Sequence, residues 1–94
     1  MRIPRTERRL LRIADERAAL GEEETRLEAE VEEHRRLHHE ARLDALDGDA
    51  ADRASFREIE GDLARFERSL ARVRQKIAQL DERRRELLAR LPED

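Results

Sequence analysis

Four aspartates crowd the middle of this chain: Asp44, Asp47, Asp49 and Asp52, all within "LDALDGDAADRASF" from Leu43 to Phe56. Carboxylates gathered at one place can hold a hard divalent cation, build a negative field or cap a helix. A second group, Glu33, His34, His38 and His39, sets two histidines one helical turn apart, a spacing that suits transition metals. Neither group completes a metal site. The chain has no HExxH, and the residues expected opposite the histidines, Leu63 and Ile59, are not ligands, so His34 and His38 read as members of weak core layers. Placing Gly48 at the sixth position of a calcium loop puts Leu43 and Ala45 at ligand places and Ala54 where the glutamate belongs. Ser/His/Asp sets and phosphate-cradling glycine loops are missing as well. The sequence thus predicts a non-enzyme with no intrinsic metal or cofactor, and leaves the aspartate cluster to be explained.

The elements that carry these residues are legible from composition and period. The chain is 48% charged and 2% aromatic, too poor in large apolar residues for a thick globular core. It is rich in Ala, Glu, Arg and Leu, the composition of long helices and coiled coils. The charge signs are mixed and the apolar residues regularly spaced, which argues against disorder. From Phe56 onward, apolar residues recur at alternating steps of three and four: Phe56, Ile59, Leu63, Phe66, Leu70, Val73, Ile77, Leu80, Leu87 and Leu91, with only Arg84 breaking the series. That is a sustained heptad seam. A weaker seam precedes it: Leu10, Ile13, Leu20, Leu27, Val31, Ala41 and Ala45.

Folding the chain back between Gly48 and Asp49 sets Leu20 opposite Ile77, Leu27 opposite Leu70, Val31 opposite Phe66 and Leu10 opposite Leu87. Charges agree: residues 22–33 hold seven Glu and one Arg, and the facing residues 64–75 hold four Arg and one Glu. The expected fold is therefore all-α, a single antiparallel two-helix coiled-coil hairpin over residues 1–94. Helix 1 is placed at about 5–46, the tip at 47–52 and helix 2 at about 53–90. Gly48 is expected to end helix 1 in the left-handed conformation. Asp49, Asp52 or Ser55 is expected to cap helix 2, Ser55 with Glu58 spelling a capping box. Gly61 is expected to make room for Arg36 across the seam. Leu10, Leu11, Leu87, Leu88 and Leu91 cluster at the open end, the expected place for docking or for homodimer formation.

Other classes are set aside on simple grounds. The chain has no cysteine, hence no disulfides. The start "MRIPRTERRLLRIAD" has no apolar stretch long enough for a signal peptide, and nothing approaches a membrane span, so a cytoplasmic protein with no membrane partner is expected. Net charge is −3, a poor footprint for direct nucleic-acid binding.

The tip "GDAADRASF" resembles that of the coiled-coil factors that enter the secondary channel of bacterial RNA polymerase. In the Gre factors the tip reads approximately G-D-x-x-E-N-A-x-Y, and Gly48, Asp49, Asp52, Ala54 and Phe56 fall at those places. In the DksA family it reads D-x-x-D-x-A, matched by Asp49, Asp52, Arg53, Ala54 and Ser55. The resemblance covers these tip positions and the hairpin architecture only. The FKBP-like domain of the Gre factors and the zinc module of the DksA family have no counterpart in the sequence. What the resemblance implies is a transcription regulator whose tip acids, Asp49 and Asp52, act at the polymerase active site near its catalytic Mg²⁺. Asp44 and Asp47 would thicken the negative field. Asp52 in place of glutamate shortens the reach by one methylene, which favours a modulator or inhibitor over an RNA-cleavage factor. The competing expectation is a non-enzymatic scaffold or adaptor resembling the small FliJ-type coiled-coil rods, which bind by helix flanks or open end.

Overall fold

The protein is an all-α helical hairpin, seen in a computed structural model that describes residues 3–91. Helix α1 spans Arg5–Leu46 and helix α2 spans Ala50–Arg90, and the two pack against each other. Their packing divides into two compact units, Met1–Glu24 with Arg72–Asp94, and Thr25–Ala71.

The unit formed by the chain ends is built on Ile13, Val73, Ile77 and Leu87, all buried. Thr6 is buried there too, on the same seam extended one step back from Leu10. The sequence reading missed it, because a threonine does not register as an apolar repeat. The Arg8 N–H donates to the Pro4 carbonyl (3.0 Å), closing the first turn of α1. Two ion pairs bridge the helices here, Arg17 Nε to Asp81 (3.2 Å) and Arg74 Nε to Glu24 (3.1 Å). The second is the Glu-rich against Arg-rich complementarity expected from the sequence. Both are substantially solvent-exposed, so they set register more than stability.

The unit formed by the turn is built on Leu27, Val31, Ala41 and Leu70. Each of these, like each buried apolar residue of the other unit, lies on an expected seam position. Arg35 reaches Glu67 across the helices (3.4 Å). Gly61 makes room for nothing: a Cβ added there meets no atom within 4 Å. Its cost is then purely the conformational freedom that glycine loses in a helix. Gly61→Ala is expected to raise stability by about 0.5–1 kcal/mol, read as a higher urea midpoint at unchanged slope. A lowered midpoint would show that the position is crowded.

Candidate functional site

The turn between the helices is shorter than the sequence suggests. Helix α1 ends at Leu46, and α2 begins at Ala50 instead of near residue 53. The cause is a reciprocal cap. The Asp52 N–H donates to Asp49 Oδ1 (3.0 Å), and the Asp49 N–H donates to Asp52 Oδ2 (3.1 Å). Asp49 is thus the N-cap and Asp52 the third residue of the helix, a capping box built of two aspartates. The Arg53 N–H donates to the Asp49 carbonyl (3.2 Å), the first main-chain bond of α2. Arg53 Nη1 donates to the Gly48 carbonyl (3.1 Å), closing the turn from the other side. Ser55 with Glu58 does not cap anything, since both lie inside α2, and Ser55 is exposed.

Gly48 does not take the left-handed conformation, and no residue among those described has positive φ. Its role is close approach. A Cβ at position 48 would lie 2.5 Å from the Asp44 carbonyl oxygen and 2.7 Å from Asp52 Cβ, and would collide with Asp52 Oδ2. The backbone of the turn passes tightly between the last turn of α1 and the cap of α2, and only glycine fits.

The four aspartates are all exposed, but they stand in different electrostatic positions. Asp49 and Asp52 sit at the positive end of α2, where carboxylates are favoured. Asp44 lies in the last turn of α1, which holds no basic residue, and Asp47 follows directly. Acids at a helix C-terminus oppose its dipole. Local stability therefore accounts for Asp49 and Asp52 and runs against Asp44, while Asp47 lies between the negative end of α1 and the positive end of α2. Ala54 is exposed, as is Leu46 at 76% of its surface.

Phe56 and Phe66 are half-buried under the two seam histidines. His38 lies over Phe56 with ring centroids 5.0 Å apart, and His34 over Phe66 at 4.5 Å. His34 Nδ1 donates to the Glu30 carbonyl (2.8 Å), while His38 Nε2 donates to the Glu60 carboxylate (3.2 Å). The sequence placed both histidines in weak core layers but missed that the two phenylalanines fill those layers. Rings one heptad step out of the facing position can reach each other because aromatic side chains are long. Among the described residues, no group of three or more His, Cys, Asp or Glu gathers to hold a metal ion. Asp49 and Asp52 each spend one oxygen on the other's N–H and keep the second.

The open-end leucines divide. Leu87 is the most buried side chain among the described residues, 1% exposed, and so belongs to the core and not to a docking surface, correcting the expectation for that residue. Leu10 and Leu91 are half-buried, while Leu11 and Leu88 are exposed. Among the described residues no helix is long and apolar enough to cross a membrane. No protein-family model matches this chain, and no curated protein or solved structure matches it either.

Proposed function

We propose that the hairpin is a regulator of bacterial RNA polymerase that acts through its acidic tip in the secondary channel, as a modulator or inhibitor. The observation that supports this reading most is the charge at the turn. The D-x-x-D-R-A-S stretch lies where the chain folds back, Asp44 adds negative charge that the dipole of α1 disfavours, and Asp47 adds more beside it. The tip would act by its field and shape on the mobile elements around the polymerase active site. No step of the proposal requires a metal held by this chain.

A second reading has a specific observation in its favour. The reciprocal Asp49–Asp52 cap accounts for both acids with no partner at all. On that reading the protein is a coiled-coil scaffold, and the tip chemistry is dispensable.

The two readings part on a variant that keeps the cap and removes the charge. Asn caps as well as Asp, and Gln serves at the third helical position, so Asp49→Asn with Asp52→Gln should keep the turn. Transcription by bacterial RNA polymerase would be measured on a stable promoter, an unstable promoter and a backtracked complex. Wild type is expected to shift output from the unstable promoter without cleaving backtracked RNA. The double variant is expected to lose most of that effect, tenfold or so in the concentration required, while its unfolding free energy stays within about 0.5 kcal/mol of wild type. No effect of wild type at saturation overturns the proposal, as does an effect that survives in the variant.

A further inference from the structure

The net charge of −3 averages over unlike parts. The unit formed by the chain ends holds 13 basic and 11 acidic residues, and the unit formed by the turn holds 8 and 13. Within the first unit, arginines gather on one flank. Arg5, Arg9 and Arg12 follow one another along α1 at steps of four and three, which sets them on one helix face. Arg9, Arg12 and Arg83 of α2 line a hollow of ≈ 310 Å³ between the helices, edged by Glu16. Its floor is Ile13 and Leu87, both buried, with half-buried Leu80. Arg90 follows Arg83 by seven residues, two turns along the same face of α2. Arg5, Arg9, Arg12 and Arg90 make no ion pair among the described residues, and Arg83 makes a surface pair with Glu86 (3.7 Å). Their charges act on one another: the Arg9 pKa is lowered, first by Arg5, then by loss of water around it, then by Arg83, Arg12 and Arg90.

A hollow ringed by arginines, with no exposed apolar residue in its lining, fits a ligand that binds by charge alone. An acidic protein surface gains little from each exposed ion pair and needs apolar contact for the rest. An anionic membrane is flat and takes up apolar side chains that protrude, whereas Arg9, Arg12 and Arg83 stand around a hollow. A single nucleic-acid strand is held by aromatic stacking as well as charge, and both aromatics of the chain, Phe56 and Phe66, belong to the other unit. A duplex meets every condition. Its sugar–phosphate ridge can enter the hollow, its phosphates match the arginine forks, and the counterions it releases turn charge alone into affinity. We propose that Arg5, Arg9, Arg12, Arg83 and Arg90 form a binding face for the phosphate backbone of a nucleic-acid duplex, without readout of its sequence. The face shares no residue with the acidic tip and stands independently of the polymerase reading.

The test uses the full chain and short labelled DNA duplexes of two unrelated sequences, followed by fluorescence anisotropy from about 50 to about 200 mM salt. Competitors are a single strand, polyglutamate, and vesicles of phosphatidylserine and phosphatidylcholine. Both duplexes are expected to saturate alike, in the micromolar range at the lowest salt. With five phosphate contacts, the logarithm of affinity should fall with the logarithm of salt at a slope of about −4 to −5. Arg9→Gln with Arg83→Gln takes one arginine from each helix. It should weaken binding about tenfold or more and make the slope shallower by about 2, with the helical signal intact. Arg57→Gln with Arg68→Gln removes the same charge from exposed positions of the other unit and should leave the slope unchanged. An absence of saturable binding at low salt overturns the proposal, as does an equal loss in the two double variants. Tighter binding of the single strand, the polyglutamate or the vesicles than of the duplex overturns it too.

Discussion

Truncating Leu87 to alanine is expected to remove roughly 2–5 kcal/mol of stability, the range for deleting a fully buried leucine whose neighbours cannot close the gap. Leu87 is 1% exposed. A two-helix hairpin has few layers with which to absorb such a loss, because no large apolar residue off the seam is buried among those described. Domains of this size carry about 5–15 kcal/mol in total, and narrow ones lie at the low end. At about 4–8 °C for each kcal/mol, the melting midpoint of Leu87→Ala should fall by about 10 °C or more. Leu88→Ala is the matched control: its neighbour in sequence, with the same side chain, is 38% exposed and should cost well under about 1 kcal/mol. Thermal unfolding followed by circular dichroism decides it. Equal losses in the two variants would mean that the open end is packed otherwise than described, with Leu88 as deeply covered as Leu87.

The second large effect is expected at the turn. In Gly48→Ala the new Cβ would stand 2.5 Å from the Asp44 carbonyl oxygen, a backbone atom that cannot step aside without unwinding the last turn of α1. It would also press on Asp52, whose carboxylate accepts the Asp49 N–H. Relief therefore requires moving the helix end, breaking the cap, or both. The cost of such overpacking is about 1–3 kcal/mol, to which loss of the cap adds its own share. The expected signature is local as well as global: a lower urea midpoint, and faster hydrogen exchange at the Asp49 and Asp52 amides. An unchanged midpoint with unchanged protection at those amides would contradict the close approach. Gly61→Ala, which gains a Cβ in open space, should move stability the other way. Two glycines in one chain then respond with opposite sign, for reasons visible in their surroundings.

That contrast marks what could be learned from the sequence and what could not. The heptad period fixes which residues face inward, and the buried residues Ile13, Leu27, Val31, Leu70, Val73, Ile77 and Leu87 all lie on it. Pairing the two seams also located the fold-back, since charge and apolar spacing both demanded it near Gly48. Period says less about depth. It put Leu87 on the seam and Leu88 off it without showing how far their exposures differ, and it passed over Thr6, whose polar type does not register in an apolar repeat. The turn was misjudged in its details for a different reason. Ser55-x-x-Glu58 and Asp49-x-x-Asp52 are both capping patterns, and sequence alone does not rank them. The second forms because Gly48 lets the backbone turn at once, so the earlier cap is reached first and Ser55 is drawn into the helix. Likewise a glycine after a helix is commonly left-handed, but tight passage past a carbonyl requires glycine equally well. The aromatic layers were hidden because His34 and His38 looked like defects in an apolar seam until Phe66 and Phe56 were found beneath them.

The functional reading rests on the tip, and its most direct test asks whether the tip is what meets the polymerase. Leu46 is 76% exposed beside the aspartates, so it can carry a photo-crosslinking side chain without disturbing the seam or the cap. Irradiated with bacterial RNA polymerase, this protein is expected to form an adduct with the subunit that carries the catalytic aspartates, at segments bordering the secondary channel. A probe at exposed Gln79 is expected to give no adduct at those active-site segments. No adduct from Leu46 at saturating protein, or reaction only from Gln79, would contradict the account. The acidic turn would then stand as the capped bend of a scaffold hairpin.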